Sequence, residues 1–384
     1  MAETQVLIKN IPVLKTGIFI ATVSAIIIGI LGVIVGLILL LFGRFVEALE
    51  VIILAPIITA ILTFIMGTII AFGMRKGLSA CGGFPLFIES EKGEILVKSL
   101  SVVKSAIYKA VVLGIIAIPF ALLIALIGLA SGSVFKSATF NPIAALIIVI
   151  VLPILAMIFG FIAGVIETVG KNAGFSLAGG LPIKVESEQN SITIRGIDAF
   201  KLAIVNGIEF FVGGVVLAFL LLLVSLVIPT DLSTLPATYS NAIAAVKGVL
   251  LLAIVALPIV MLIWGFVCGA FAAIGINAGL NAINGLKIES DVKSAKIVFN
   301  RVDIGQATIA FAAFYAIAAI PSIGLQSLIA MISNVFYGVL MFIIGVVEYL
   351  IIGAIMGLAC AFGFNSLKGY DVDGENLDKL FGSG

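Results

Sequence analysis

The sequence predicts an all-α polytopic membrane protein with about eight transmembrane helices in four repeats and with small cytoplasmic β-hairpins between the repeats. Three observations predict this class: the apolar composition, the pairing of long apolar runs, and a pattern that recurs four times. The 384 residues are 62% hydrophobic and 11% charged, whereas soluble domains average about 45–50% and about 25%. A soluble fold could not bury that much apolar surface.

Apolar runs long enough to cross a membrane come in pairs. A transmembrane helix needs about 20 mostly apolar residues, because each residue advances the helix by about 1.5 Å. Eight runs meet this requirement: Gly17 to Phe42, Val51 to Phe72, Ala106 to Leu129, Pro142 to Val169, Leu202 to Ile228, Ala242 to Ile274, Ala307 to Ile332 and Val335 to Phe362. Two helices per pair return the chain to the side on which it started.

Short polar segments between the pairs alternate apolar and polar residues with period two, as Ile192 and Ile194 do. This alternation is typical of β-strands, and the intervening polar residues predict tight turns. Open sheet edges cannot lie in hydrocarbon, so we expect the strands on the membrane surface. The sequence predicts a β-layer there from segments near Leu7, Val97, Thr193 and Val298.

Four segments that precede the helix pairs align without gaps: QVLIKNIPVLKT, EILVKSLSVVKS, SITIRGIDAFKL and KIVFNRVDIGQA. The segments that end the second helices also align: GLSACGGF, GFSLAGGL, GLNAINGL and GFNSLKGY. The alignment predicts four copies of one strand-helix-helix-strand unit over residues 1–90, 91–188, 189–290 and 291–384, which together form one membrane domain. The last copy ends in ENLDKLFGSG, for which we expect a mobile tail.

A second shared feature lies within the predicted spans. The second helix of every unit carries a glycine followed four residues later by another small residue. The glycines are Gly67, Gly164, Gly269 and Gly353. Small residues at this spacing let helices approach closely in lipid, so the pattern predicts helix-packing positions; a glycine-lined permeation path is the alternative.

The distribution of basic residues predicts the orientation. The side that carries both termini and the hairpins holds most of the 21 lysines and arginines, whereas the other side keeps Arg44, Lys136 and Lys247. Basic residues favour the cytoplasmic side of membrane proteins. We therefore expect a multi-pass protein of the cell membrane with both termini in the cytoplasm.

The units resemble very short archaeal and bacterial membrane proteins of unknown function, which consist of a basic strand-like start, two membrane helices and an ending with Asn, Ala and Gly-Gly. The segments KNAGFSLAGGLPIKVES and INAGLNAINGLKIES carry the resemblance, with Asn172 and Asn277 at the asparagine position. The first unit has Arg75 there and the fourth has Ala361. The resemblance implies four fused copies that form a pseudo-oligomer, and it implies no activity.

Few residues in the spans could carry chemistry. Glu348 lies near the middle of the last helix, where a carboxylate usually faces a bundle interior, a cavity or a partner. We expect it in a polar cavity, on the central axis or at a partner surface; a hydrogen-bonded structural carboxyl is the alternative. Glu209 and Glu167 lie within about two helical turns of the cytoplasmic face, where pairing with Lys201 or Lys171 is expected.

The sequence offers little for cofactors or metals, because it has no histidine and three widely separated cysteines. The glycine-bounded turns lack a phosphate-loop pattern, since the glycines follow a helix instead of opening one. Arg75, Lys76 and Lys171 lie near them, so anionic lipid headgroups are the predicted ligands. No cofactor, metal or nucleic acid is expected; the predicted partners are membrane lipids and a membrane protein or another copy of the chain.

Two classes of function remain open. The first is a non-enzymatic structural, assembly or accessory subunit that forms a pseudo-tetrameric bundle, which the lack of catalytic residues favours. The second is a channel or an ion- or proton-linked transporter that uses Glu348. Transporter repeats are often inverted, whereas units with two helices run parallel, which favours the first class.

Overall fold

The computed structural model describes residues 4–91, 93–135, 142–188, 190–227 and 237–381. Of these residues, 76% are helical. The strands are β1 (Thr4–Asn10), β2 (Phe84–Glu91), β3 (Glu94–Leu100), β4 (Leu181–Glu188), β5 (Ser191–Ile197), β6 (Leu286–Lys293), β7 (Lys296–Val302) and β8 (Tyr370–Glu375). The α-helices are α1 (Val13–Leu41), α2 (Phe45–Leu49), α3 (Ala55–Ala80), α4 (Val102–Phe135), α5 (Pro142–Ala178), α6 (Ala199–Val227), α7 (Ala237–Ala282), α8 (Ile304–Ala318), α9 (Ile320–Ser333) and α10 (Val335–Asn365).

The strands form one closed antiparallel barrel in which each strand pairs with the next and β8 pairs with β1. The predicted segments near Leu7, Val97, Thr193 and Val298 all lie in strands, which confirms their extended conformation. The predicted hairpins are present as β2–β3, β4–β5 and β6–β7, and their pairing with one another and with β1 and β8 in one barrel is the part that the sequence did not predict. Each hairpin has two unpaired edges, and closure pairs every edge with a neighbouring strand.

Apolar side chains fill the barrel. Val6, Ile88, Ile192 and Ile297 point inward from four strands and are almost fully buried. This alternation of inward apolar and outward polar residues is what an eight-stranded barrel requires, because its interior is just wide enough for side chains. The barrel interior is therefore a packed core.

The C-terminal segment closes the end of the barrel that lies away from the helices. Leu377–Phe381 forms a 3-10 helix, and Leu377 is 0% exposed within the barrel core. The Leu377 amide donates to the Ser294 carbonyl, and the Asn376 side chain donates to the Gln5 carbonyl. The tail that the sequence predicts to be mobile thus packs on the barrel over residues 377–381, where its leucines bury apolar surface in the barrel mouth; residues 382–384 lie outside the described part of the chain.

The long helices stand on the other end of the barrel and form a closed ring. Neighbouring long helices contact one another in chain order, and α10 contacts α1. A π-helical turn, Glu50–Leu54, joins α2 to α3. In the described residues, seven helices are long and apolar enough to cross a membrane, and the α8–α9 pair would be an eighth. This indicates a multi-pass membrane protein.

The predicted helix from Ala307 to Ile332 is broken. The chain bends by 40° between α8 and α9, and Pro321 lies in the first turn of α9. Proline removes a backbone donor and clashes with the preceding turn, which explains the break. Lys136 and Ile228, which the sequence placed in a far-side loop and at a helix end, lie outside the described residues.

Candidate functional site

Four charged side chains from three neighbouring helices meet in one network, here called the charged cluster: Lys109 on α4, Glu167 and Lys171 on α5, and Glu209 on α6. Glu167 pairs with both lysines, and its distance to the Lys171 ammonium is 2.5 Å. Glu209 is 3.9 Å from the same ammonium. Glu167 is thus tightly paired, and Glu209 is paired only loosely; Lys171, not Lys201, is its partner.

Glycines bring these three helices close enough for the cluster to form. A Cβ atom on Gly164 would lie 2.6 Å from the Ala106 Cα atom of α4. A Cβ atom on Gly170 would lie 2.8 Å from the Glu209 Cα atom of α6. Real Cβ atoms cannot approach so closely, so a larger residue at either position would push the helices apart.

A groove opens beside the cluster between α5 and α6, and we call it the α5–α6 groove. It has a volume of about 350 Å³, and the carboxyl groups of Glu167 and Glu209 lie at one end. The rest of its lining is apolar and includes Ala163, Ile166, Val216, Leu217, Leu220 and Met261. Gly213 also lines it, and no heavy atom lies within 4 Å of a Cβ atom built there. The groove is therefore apolar along most of its length and charged at one end.

The four glycines that the sequence singled out are buried at contacts with the first helix of their own pair. A Cβ atom on Gly67 would lie 3.0 Å from Ile20, and one on Gly353 would lie 2.5 Å from the Phe311 carbonyl oxygen. At Gly269 the nearest atom, the Asn206 Cβ, is 2.9 Å away. Further glycines, among them Gly170, make the contacts between successive pairs. The ring thus closes through two sets of glycine contacts.

Asparagines fasten the helices to the barrel. The Asn172 side chain accepts from the Leu100 amide at 2.8 Å and donates to the Leu100 carbonyl at 2.8 Å. Asn277 makes the same pair of hydrogen bonds to Ile197. The sequence marked both asparagines through the resemblance without predicting this role.

A third asparagine makes the same pair of hydrogen bonds, and the sequence analysis did not predict it. We call these three contacts the asparagine clamps. Asn365 holds Val302 through the same two hydrogen bonds, at 2.9 and 2.8 Å. Asn365 lies four residues after Ala361, the position that aligns with Asn172 and Asn277, so it comes one helical turn later. An asparagine in the last turn of the second helix was the signal that could have found it.

Glu348 lies on an exposed face of α10, between Ile344 and Ile351, which are 55% and 52% exposed. The prediction of a polar cavity is wrong, since its neighbours along this face are exposed apolar side chains. The axis placement is also wrong. At about 100° per residue, the contacts of α10 with α8 at Gly353 and with α1 at Gly363 are about 80° apart, and Glu348 falls outside the sector between them. Because the interior of a ring lies between neighbours, Glu348 points out of it.

The predicted headgroup residues do not form one site. Arg75 and Lys76 are exposed on α3, where the Lys76 ammonium lies 5.5 Å from the centre of the Phe72 ring. Lys171 lies on α5 in the charged cluster. The three cations therefore belong to two separate surfaces.

A larger cavity of about 740 Å³ lies where the barrel meets α6 and α7. Lys184, Arg195 and Lys201 line it together with three acidic residues. The Arg195 guanidinium is 2.7 Å from Glu186, and the Asp198 carboxylate accepts from the Lys201 amide. The charges balance, so this cavity has no excess of cations for a polyanion.

In the described part of the chain, no three Asp, Glu, Cys or His side chains lie together in a way that could hold a metal ion. Comparisons with protein-family models, with curated proteins and with solved structures find no match for this chain. The geometry of the sites above therefore carries the functional argument.

Proposed function

We propose that this chain is a non-enzymatic multi-pass protein of the cell membrane, and that it acts as a structural or accessory subunit of a larger membrane assembly. Its four strand-helix-helix-strand units form a pseudo-tetrameric ring, with the barrel and both termini in the cytoplasm. The observation that carries the proposal is the exposed carboxyl group of Glu348 on the outer apolar face of α10.

Long uncharged stretches of three helices support the membrane placement. Residues 110–135 of α4, 142–166 of α5 and 210–227 of α6 contain no charged residue, and each run begins beside the charged cluster. Their lengths match the roughly 20 residues that cross a bilayer. The cluster would then lie among the cytoplasmic headgroups, with the basic barrel side below it.

The pseudo-tetramer is supported by recurrence at two levels. The aligned sequence segments fall on matching strands and helix ends, and Asn172, Asn277 and Asn365 fasten three helix pairs to the barrel in the same way. Glycine contacts recur within the pairs and between them. Four fused copies of one unit account for both patterns, as the resemblance implies.

The arrangement argues against a channel along the ring axis. Such a path would pass through the barrel, whose interior is filled by Val6, Ile88, Ile192 and Leu377. The acidic residue that would bind the transported ion points out of the ring.

An outward carboxyl in lipid needs a partner. A charged side chain at the bilayer centre costs about 2.5–3.5 kcal/mol on insertion scales, and such residues usually face protein. A polar or basic side chain on a helix of another subunit would satisfy Glu348 and would cover Ile344 and Ile351. We infer that this face of α10 is the attachment surface.

The test is native mass spectrometry of the tagged chain, extracted in mild detergent from the membranes of its source organism. We expect the wild type to carry a second membrane protein in fixed stoichiometry, Glu348→Leu to lose it, and Glu348→Gln to retain part of it through a hydrogen bond. Glu50→Gln, a change to an exposed acid far from this face, serves as the control.

Two outcomes would contradict the proposal. If the wild type and Glu348→Leu have the same mass, the face does not attach a partner. If liposomes with the purified wild type conduct protons or cations and Glu348→Gln abolishes the flux, the channel function is the correct one.

A further inference from the structure

The α5–α6 groove extends along the helices for about the thickness of one membrane leaflet. Its charged end is at Glu209 and its apolar end at Leu220, which lie 11 residues apart on α6. At about 1.5 Å per residue this is about 17 Å, close to half of the roughly 30 Å hydrocarbon thickness. An acyl chain that entered at the headgroup level would run along the groove to the middle of the bilayer.

The lining of the groove is apolar, as an acyl chain requires. Ala163 and Ile166 line the groove from α5, and Val216 and Leu217 line it from α6, so both helices offer apolar contacts. Gly213 leaves the floor open. Burying each methylene of a lipid chain contributes about 0.8 kcal/mol in an apolar environment, so a groove of this shape competes with bulk lipid only when its charged end adds specificity.

Glu167 and Glu209 line the charged end of the groove, and the two lysines of the charged cluster lie beside it. Lys109 and Lys171 can bind a phosphate, although Glu167 already shares them. The Glu209 side chain is 22% exposed, and its one ion pair within the described residues is the loose 3.9 Å contact with Lys171. A ligand with a phosphate and a primary ammonium would complete this set, because the ammonium can donate to Glu209 while the phosphate accepts from the lysines.

We propose that the α5–α6 groove binds one phospholipid with an ethanolamine headgroup, its acyl chain lying between α5 and α6 and its ammonium on Glu209. The inference rests on the membrane placement in the proposed function and adds a lipid of defined headgroup. The bound lipid would lie between two helix pairs that approach each other closely at Gly170 and Gly174.

The first test fills the groove. Wild type, Gly213→Phe and Gly248→Phe are reconstituted in vesicles that contain equal parts of phospholipids with ethanolamine, choline and glycerol headgroups. Each protein is then extracted in mild detergent, and its mass is measured by native mass spectrometry. Gly248 on α7 is a matched control, because it also has no heavy atom within 4 Å of a Cβ atom and lies outside the groove. We expect one retained phospholipid on wild type and on Gly248→Phe, and none on Gly213→Phe. Equal retention by all three overturns the proposal.

The second test concerns the headgroup. A choline ammonium carries no N–H group, so we expect wild type to retain ethanolamine over choline lipid by about tenfold, the factor for one charge-assisted hydrogen bond. Glu209→Gln should remove this preference while one lipid stays bound. Retention without headgroup preference in the wild type refutes the assignment of Glu209.

A separate measurement, alkaline extraction of the vesicles, tests whether the chain is in the membrane. If the chain withstands alkaline extraction of the vesicles and yet retains no lipid, this inference fails and the membrane placement stands. If the chain is extracted, both fail. Partner attachment through Glu348 is on α10 and should be unchanged in Gly213→Phe.

Discussion

Replacing Leu377 with alanine removes the side chain that closes the far end of the barrel. Leu377 is 0% exposed and packs against the inward residues of the barrel, including Val6 and Ile88. Buried Leu→Ala changes destabilise proteins by about 2–5 kcal/mol, depending on how far the site collapses. Because Leu377 lies at a barrel mouth bordered by turns, which can partly close the gap, we expect about 2–3 kcal/mol.

Hydrogen exchange followed by mass spectrometry measures this loss in the barrel alone. Each 1.4 kcal/mol is a factor of about ten in an equilibrium, so amides of β1, β2 and β6 should exchange about 30 to 150 times faster in Leu377→Ala. Lys379→Ala, an exposed change in the same 3-10 helix, is the control and should exchange as wild type does. Unchanged barrel exchange in Leu377→Ala would show that the C-terminal helix does not hold the barrel closed.

Three further changes test the pairing of β8 with β1, an asparagine clamp and the acid dependence of stability. Gly374→Ala should open the β8–β1 seam and speed exchange in both strands, because its Cβ atom would lie 2.0 Å from the Leu7 carbonyl oxygen. Asn277→Leu should destabilise the protein by about 1–3 kcal/mol in thermal unfolding, because it leaves a backbone amide and carbonyl without their partner. The hydrogen bond from Lys15 holds the pKa of Asp371 below its usual 3.8, so its stabilising effect is complete above pH 3.8 and declines as the pH falls further; Asp371→Asn should weaken that acid dependence in a pH series of thermal unfolding.

The sequence was sufficient for the elements and insufficient for their assembly. Period-two alternation located strands such as β5, and apolar length located the long helices. Closure of the barrel depends on pairing between β1 and β8, which lie at opposite ends of the chain, and no local pattern encodes such a contact. Pro321 is a local signal for the bend between α8 and α9, and the spacing of Leu377 and Leu380 is a local signal for the packed C-terminal helix; the sequence analysis used neither.

The candidate sites divide in the same way. Glu167 and Lys171 are one helical turn apart, so their pairing follows from local geometry, whereas Lys109 and Glu209 join them only through contacts between helices. The direction of Glu348 depends on which neighbours α10 touches. Helix geometry gives an angle of about 140° between Glu348 and Gly353, five residues apart, and leaves the ring interior undefined.

The joint between ring and barrel explains why so many contacts use glycine. Eight strands about 4.8 Å apart give a barrel about 38 Å around before strand tilt widens it. Eight helices at the usual 8–10 Å would need about 64–80 Å. Because one end of every strand leads within a few residues into a helix, this mismatch must be absorbed where the helices leave the barrel. Glycines such as Gly174 and Gly279, whose Cβ atoms would lie 2.7 and 2.5 Å from the next helix, shorten the spacing in that region. The asparagine clamps then hold the helix ends against the strands, so the barrel sets the diameter of the ring above it.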